Sequence, residues 1–432
     1  MTLAFLASRK GYLKVMGSLI QAALDRGHRV VLLRDPGQDK PGEATTASDF
    51  QWWPRAELVD YPWGAPLLPV LEAHGITDLV GPSLYLVLKG MKRLKEVPDL
   101  KRRGIRLYSV DYGFETATSD PEGYRVIDVT FYQSEFQRSD VHWREPRFKE
   151  WDGDFRVLRR EKVNLKSHSE VSGSTMLDQR VLIDPAAVRS KHGLPGDRPV
   201  VLFMSLKMAV PEPWRAVVWG DSLRVAARAV VASVRKRPLA TLRLVPRMAG
   251  GLGDRLQNGN GYRRLLASVQ HFCDVNGAVL VIKSREKNQD PPFLRDFTRY
   301  VIDKDDGVFP YDSLELMAIS NLCIHFQSGA VLEAAFCGVP SLSIRVPLPF
   351  GRDNPAYKEL WDAEPHSFQN WDGVVWSTDP RGAVALLAER KLGDFAVQPG
   401  ARRDYVVRYV GFDDTRSSER VLDVIGRAAR EG

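Results

Sequence analysis

The sequence FQSGAVLEAAFCGVPSL at residues 326–342 decides the fold that we predict for this chain. The apolar run LCIHF at 322–326 leads into it and predicts a buried parallel strand. Ser328 and Gly329 interrupt that strand, and residues 330–336 have the pattern of a short helix. A second apolar strand begins at Pro340. The stretch therefore predicts a strand–turn–helix–strand unit of a parallel α/β sheet.

The Ser-Gly turn at the start of this helix is suited to binding a phosphate. Backbone N–H groups and the positive end of the helix dipole point outward at such a turn. Glu333, one turn into the helix, is placed to accept hydrogen bonds from a ribose. The alternative is an ordinary strand–turn–helix unit in which Glu333 only complements the helix dipole.

Composition indicates a globular protein with two or three domains. The chain has 432 residues, of which 44% are hydrophobic and 27% charged. We find no run of about 18 uncharged apolar residues, as a membrane helix needs. The apolar start is cut off by residues 8–11 too early for a secretory signal. Single cysteines at 273, 323 and 337 indicate buried thiols in a reducing compartment, so we expect a cytoplasmic protein.

Two series of alternating strands and helices follow each other along the chain, which is typical of parallel sheets with crossover helices. The first series has predicted strands at 3–7, 29–33, 57–61, 77–81, 105–110 and 129–133. The second has predicted strands at 199–204, 241–245 and 278–283, and helices at 222–235, 261–274, 293–301, 313–319 and 415–430. Two open sheets that face each other would place their carboxyl-end loops around one shared cleft.

Three segments in the right order resemble those of GT-B glycosyltransferases and of the related non-hydrolysing UDP-N-acetylglucosamine 2-epimerases. VSGSTMLD at 171–178 resembles the hinge that opens their second domain. Ser328-Gly329 with Glu333 and GVPS at 338–341 resemble their nucleotide-diphosphate and ribose site. Residues 105–133, which include VDYG and PEGYR, resemble the segment that faces the cleft from the first domain.

The resemblance implies two Rossmann-like α/β domains that face an interdomain cleft holding a nucleotide sugar. Residues 1–170 would form the acceptor-side domain, joined by a returning helix at 415–432, and residues 171–414 would bind the donor. The diphosphate would lie against Ser328, Gly329 and Ala330, and Glu333 would hold the ribose. The base would be read by backbone groups around 309–312.

The departures from the epimerase pattern favour transfer over epimerisation. The epimerases carry a His-Arg pair after the first strand of the second domain, where this chain has FMSLK at 203–207. Only Arg345 follows the Gly-x-Pro turn, where they have several arginines. We therefore predict a glycosyltransferase that uses a UDP- or CDP-type donor in cell-surface glycan or glycoconjugate synthesis. The alternatives are a UDP-N-acetylglucosamine 2-epimerase-like enzyme and a non-catalytic protein that binds a polyanion.

Inverting transfer needs a base that takes the proton of the acceptor hydroxyl. Asp111, at the carboxyl end of a predicted strand in the first domain, is the first candidate, and Glu115 is the second. Asp111 capping the turn before Gly113 is an equally weighted alternative.

Cations that follow the strands of the second domain would hold the charge of the leaving diphosphate. Lys283 and Arg285 are the candidates, and solvated loop charge is their alternative. Adjacent carboxylates such as those at 305–306 and 413–414 are usually exposed, so we expect no metal site and no cofactor besides the nucleotide-sugar donor.

The remaining predictions concern partners of the first domain. Arg9, Lys10 and Gly11 close the first strand and are expected to face a glycan or lipid-linked acceptor. The net charge is +7, but the chain has no recognisable nucleic-acid motif, so no nucleic acid is expected. The basic segment 89–103 predicts either a solvated helix face or a peripheral contact with an anionic membrane surface.

Overall fold

The computed structural model describes residues 1–7, 10–35, 52, 54–62, 64–111, 126–138, 141–144, 159–162, 169–205, 261–284, 292–303, 309–345 and 366–431. The description does not include three predicted site residues, Arg9, Glu115 and Arg285, nor the side chain of a fourth, Lys10. The predicted helix at 222–235 and the predicted strand at 241–245 lie outside it as well.

Two parallel sheets form the frame of the described chain. The strands of its first part are β1 Thr2–Leu6, β2 Arg29–Arg34, β3 Glu57–Asp60, β4 Asp78–Pro82, β5 Arg106–Val110, β6 Val129–Tyr132, β7 Val141–Arg144, β8 Arg159–Lys162 and β9 Ser169–Val171. Seven of them form one sheet in the order β3-β2-β1-β4-β5-β6-β9, with all neighbours parallel. The other two, β7 and β8, form a separate antiparallel pair.

The second sheet repeats this winding with six strands. They are β10 Val200–Met204, β11 Val279–Lys283, β12 Val301–Ile302, β13 Leu322–His325, β14 Ser341–Ile344 and β15 Val375–Thr378. Their order is β12-β11-β10-β13-β14-β15, again with all neighbours parallel. All five residues of β10 are buried, because parallel sheets are covered on both faces and their central strands are apolar throughout. The prediction of two parallel-sheet α/β units is confirmed.

Helices cover the faces of both sheets. In the described residues they are α1 Leu13–Asp25, α2 Leu67–Ala73, α3 Leu84–Gly90, α4 Val97–Arg102, α5 Pro185–Lys191, α6 Gly261–Val275, α7 Asp312–Ala318, α8 Ala330–Phe336, α9 Pro380–Glu389, α10 Pro399–Tyr409 and α11 Ser417–Glu431. The predicted short helix at 330–336 is confirmed as α8 with the same bounds.

The sequence prediction fails at three places in the second part of the chain. Residues 293–301, predicted as a helix, form a short 3-10 helix at Pro292–Asp296, and the strand β12 begins at Val301. Thr298 explains the early end, because its hydroxyl donates to the carbonyl oxygen of Leu280 and accepts from the N–H of Tyr300. The helices α5 and α10 are missing from the prediction.

The last helix, α11, crosses back to the first sheet, as predicted. Its buried side chains Val421, Leu422 and Ile425 join the core that α1 forms with one face of that sheet. An ion pair of 2.7 Å between Arg26 and Asp423 joins the carboxyl end of α1 to the middle of α11 at the surface.

The segment between β9 and α5 joins the second half of the chain to the first through hydrogen bonds. Thr175 Oγ1 donates to the carbonyl oxygen of Val15 at 2.6 Å, and Gln179 Nε2 donates to that of Lys14 at 2.6 Å. Buried Asp178 accepts hydrogen bonds from the N–H groups of Ser417 and Ser418, so it caps α11. The predicted hinge at 171–178 thus contacts both the first and the last helix.

Phe309 makes a second contact between the halves. Its ring lies 5.0 Å from that of Trp52 and packs onto α1 at Gly17. A Cβ built on Gly17 would lie 2.7 Å from Cε2 of Phe309 and closer still to Cδ2. Glycine inside a helix costs about 1 kcal/mol relative to alanine, and this close approach explains its presence here.

We expect Gly17→Ala to lower the free energy of unfolding by about 1–3 kcal/mol, because the added methyl group overpacks the contact with Phe309. Gly426→Ala in α11 is the matched control, since nothing lies within 4 Å of a Cβ at that position. The control should raise the free energy of unfolding by about 0.5–1 kcal/mol. Urea unfolding of both variants measures the difference, and equal stabilisation by both would contradict the packing of Phe309 on α1.

Candidate active site

The strand order of each sheet reverses at one point, and ligands of open α/β sheets bind at the carboxyl ends of the strands beside such a point. In the second sheet the reversal lies between β10 and β13, because β11 and β12 lie on one side of β10 and the later strands on the other. The bend at residues 326–329 leaves the carboxyl end of β13. The stretch that led to the fold prediction therefore lies at the switch point of the second sheet.

The bend is open on its outer side and supported from within. Gly329 is exposed, and a Cβ at its position would meet no atom within 4 Å. The N–H of Ser328 donates to Nδ1 of buried His325 at 3.3 Å, and the N–H of Ala330 donates to Oγ of Ser328 at 3.3 Å. Ser328 is half-buried. The exposed backbone at Gly329 is therefore accessible to a ligand.

Gln369 supports the bend from behind, and the sequence analysis did not identify it as a site residue. It is fully buried, and its Nε2 donates to the carbonyl oxygen of Ser328 at 3.2 Å. Its Oε1 accepts a hydrogen bond of 2.7 Å from Ser343 at the end of β14. Buried polar groups need such partners, so these bonds fix the position of the turn. A glutamine far along the chain gives no sequence signal of this role.

Glu333 faces the same region and is oriented by a buried tyrosine. Tyr311 Oη donates to Oε1 of Glu333 at 3.1 Å, and burial raises the pKa of Tyr311 well above its ordinary value. The ammonium of Lys14 in α1 lies 5.8 Å from the centre of the Tyr311 ring. Glu333 is therefore connected through Tyr311 to the first helix of the other half of the chain. Sequence reasoning placed 309–312 near the base but did not identify Tyr311 as the partner of Glu333.

Lys283 lies at the carboxyl end of β11, one strand from the switch point. It pairs with Met204, and its carbonyl oxygen accepts from the N–H of Ser205 at 3.0 Å. Its exposed fraction is 3%, so the alternative of a solvated loop charge is excluded for this residue. The structure thus brings Lys283 and the stretch 328–333 to the same edge of one sheet. Their binding of a nucleotide remains a prediction.

The first sheet carries the candidate base at the corresponding edge. Asp111 directly follows β5, two strands from β1, and its N–H donates to the carbonyl oxygen of Phe131. The side chain has an exposed fraction of 4%. Burial raises the pKa of Asp111 to about 6, and the hydrogen bond from Ser109 and the nearby hydroxyl of Ser83 oppose this shift. A carboxyl group with a raised pKa at a sheet edge is a feature of general acid–base sites.

Gly11 follows β1 at the same edge, in a 3-10 turn at Lys10–Tyr12. It is exposed, and an added Cβ would meet nothing within 4 Å, so the fold itself does not require glycine there. An acceptor contact at this residue stays a prediction.

The described residues contain no group of three His, Cys, Asp or Glu side chains that could hold a metal ion. Two Asp-x-Asp triplets occur in the sequence, at 152–154 and 303–305. Of their carboxylates only Asp303 is described, and it forms an ion pair of 2.6 Å with Arg295.

The basic segment 89–103 is partly neutralised by its neighbours. Arg93 pairs with Glu96 at 2.7 Å, Lys101 with Asp128 at 3.0 Å, and Arg102 with Asp99. Across the described part of the chain, no helix combines the length and the apolar character that crossing a bilayer demands.

Comparison with known proteins supports the architecture. No protein-family model matches the sequence, and no curated protein is significantly similar to it. Among solved structures, UDP-GlcNAc 2-epimerase from Neisseria meningitidis bound to UDP-GlcNAc is similar with a TM-score of 0.54 and 9% identity, over 99% of this chain and 100% of that one. The wall teichoic acid polymerase TagF is similar with a TM-score of 0.53 and 12% identity, over 100% of this chain and 89% of that one.

The chain has the GT-B fold. UDP-GlcNAc 2-epimerase from Methanocaldococcus jannaschii is also similar, with a TM-score of 0.53 and 10% identity, over 99% of this chain and 100% of that one. At these identities the similarity establishes the fold alone. Transferases and epimerases share it, so the GT-B fold does not distinguish the two reactions.

The buried carboxyl of Asp111 predicts a pH dependence of stability. Its pKa is about 6 in the folded protein and near 4 in the unfolded chain, so the folded protein binds this proton more tightly. The stability that Asp111 contributes therefore falls as pH rises from about 4 to 6. Asp111→Asn removes this loss of stability. The free energy of unfolding of the variant, relative to that of wild type, should therefore rise by on the order of 2–3 kcal/mol between pH 4 and pH 7.

Urea unfolding of both proteins across this pH range measures the change. The exposed Asp404→Asn is the control and should follow the wild-type curve. Parallel curves for wild type and Asp111→Asn would show that the carboxyl of Asp111 is not desolvated.

Proposed function

We propose that this chain is a sugar-nucleotide-dependent glycosyltransferase, which transfers a sugar from a nucleoside-diphosphate donor to an acceptor hydroxyl in glycan or glycoconjugate synthesis. The observation that carries the proposal is the open bend at Gly329 with Glu333 one turn away, at the switch point of the second sheet. A buried carboxylate, Asp111, stands at the carboxyl edge of the first sheet. One sheet thus offers a place for the donor and the other a candidate base.

The donor is proposed to lie with its diphosphate against residues 328–330 and its ribose on Glu333. Tyr311 holds one oxygen of that carboxylate in place, which lowers the entropy that ordering Glu333 would cost on binding. Lys283 supplies a fixed positive charge near the leaving diphosphate. The similar solved structures named above include one bound to UDP-GlcNAc, which supports a UDP- or CDP-type donor as the first choice for tests.

In the proposed reaction, Asp111 accepts the proton of the acceptor hydroxyl as its oxygen attacks the anomeric carbon. The bond from that carbon to the diphosphate breaks, and its electron pair stays on the leaving phosphate oxygen. Backbone N–H groups at the bend and Lys283 stabilise the charge that develops there. A carboxyl with a pKa of about 6 is ionised at pH 7 and is more basic than an ordinary aspartate.

An epimerase is the second candidate, because the UDP-GlcNAc 2-epimerases share the fold. The residues after β10 argue against an epimerase. Residues 205–207, which follow Met204, include neither the histidine nor the arginine of the epimerase pattern. A cytoplasmic location and a lipid-linked acceptor remain part of the proposal. So does peripheral contact with an anionic membrane, which would use the exposed Lys89, Lys92 and Lys95.

Glu333→Gln should weaken binding of the donor nucleotide by about 10- to 100-fold. The amide can still accept the hydrogen bond from Tyr311, but it replaces a charged acceptor for the ribose hydroxyls. Calorimetry with UDP and CDP measures the affinity, and Glu389→Ala, at the exposed end of α9, should leave it unchanged. If neither nucleotide binds the wild-type protein, the proposed donor site is wrong.

Incubation with UDP-GlcNAc or a CDP-linked sugar, without and with a glycan acceptor, distinguishes transfer from epimerisation. A transferase should release UDP or CDP mainly when the acceptor is present, and Asp111→Asn should reduce this rate by about 100-fold or more while nucleotide affinity is retained. Phosphorus and proton NMR follow both outcomes. An epimer formed from UDP-GlcNAc alone would replace the proposal with the second candidate.

A further inference from the structure

Ser109 is a buried polar residue that the proposed reaction leaves unused. It lies on β5, two residues before Asp111, and its side chain is fully buried. Its Oγ donates to Oδ1 of Asp111 at 3.1 Å and accepts from the N–H of Leu84, the first residue of α3, at 2.9 Å. Alternate residues of a strand share one face, so the spacing of two places both side chains together.

The direction of these hydrogen bonds is fixed by chemistry. The N–H of Leu84 can only donate, so it occupies a lone pair of the Ser109 oxygen and leaves the single hydroxyl proton for another partner. An ionised carboxylate can only accept, so that proton points to Oδ1 of Asp111. The backbone at Ser83 holds this arrangement, since it has a φ of +42° and its N–H donates to the carbonyl oxygen of Val110 at 3.0 Å.

The second carboxylate oxygen has a different environment. Among the described residues, no donor forms a hydrogen bond with Oδ2 of Asp111, although the atom is buried. In the described part of the chain, the titratable Tyr132 on β6 interacts with this carboxylate, and the nearby Ser83 side chain favours its charged form. Leaving a buried polar atom of a charged group without a partner is costly, so such atoms in native proteins call for an explanation.

We propose that Ser109 is a positioning residue, which holds Oδ1 of Asp111 and thereby leaves Oδ2 as the oxygen that takes and releases a proton. The inference rests on the proposed function for its role in turnover. In that reaction the acceptor O–H bond breaks and its proton passes to Oδ2. The acceptor oxygen then bonds to the anomeric carbon, and the diphosphate leaves with the electron pair of the broken bond.

Ser109→Ala and Ser109→Cys test this role together. Alanine removes the donor and leaves a small space, whereas cysteine fills the site with a thiol that donates only weakly. Loss of a hydrogen bond to the charged form raises the pKa of a carboxyl group. In both variants we expect the acidic limb of the pH profile of kcat/KM to move upward by about 0.5–1 pH unit. Turnover at pH 7 should fall by about 10-fold, with the KM for the donor unchanged.

Thr130→Val is the matched control. Thr130 lies beside Ser109 on the neighbouring strand, is buried, and carries a hydroxyl that forms no hydrogen bond with Asp111. This variant also removes a buried hydroxyl from the sheet, so it should leave both the pH profile and turnover at wild-type values. A shift equal to that of the Ser109 variants would overturn the proposal, because the effect would then be one of packing.

Carbon-13 NMR of the Asp111 carboxyl separates failure of this inference from failure of the proposed function. A raised pKa of that carboxyl in both Ser109 variants supports the positioning role, even if Asp111→Asn shows that turnover does not depend on Asp111. An unchanged pKa overturns it, whatever the enzyme proves to catalyse.

Discussion

The reversal of strand order in each sheet is the constraint on which the rest of this structure depends. A parallel sheet needs crossover helices on its faces, and the direction of crossing changes where the order reverses. The loops after the two central strands then diverge and leave a crevice at the carboxyl ends. In the second sheet the loop after β13 borders this crevice, and in the first sheet α3 and Asp111 follow β4 and β5 at the equivalent edge. Polar residues that would be costly in a core are placed there by topology.

The contacts between the two halves determine how this edge of the second sheet meets the first half of the chain. Phe309 packs on Gly17 of α1, and Tyr311, two residues later, lies below Lys14 of the same helix and donates to Glu333. The first turn of α1 also accepts hydrogen bonds from Thr175 of the hinge and from Gln179, which directly follows it. A movement of α1 would therefore disturb the orientation of Glu333 directly, since one buried tyrosine separates them. The site in the second sheet depends on packing supplied by the first.

The sequence predicted the repeated framework because parallel strands carry a strong local signal. Continuous apolar runs such as those of β10 and β11, and the bend followed by α8, are readable from order and composition. The helix α10 was missed because four charged residues stand among its few apolar ones, and it is buried through Tyr405, Val406 and Tyr409 against other aromatic rings. Such burial comes from tertiary contacts. The same reason hid Gln369 and Tyr311, whose roles arise from contacts 41 and 22 residues away along the chain.

The chemistry at Asp111 shows why a functional hypothesis needs more than the fold. A sheet edge can be closed by a carboxylate that caps a turn, which would satisfy both of its oxygens and keep its pKa low. Here one oxygen is held by Ser109, the other has no donor among the described residues, and burial raises the pKa. A protein selected for stability alone would gain by replacing this side chain with a neutral one. This buried charge is the observation that motivates the proposal of Asp111 as a base, and the GT-B fold by itself does not determine that role.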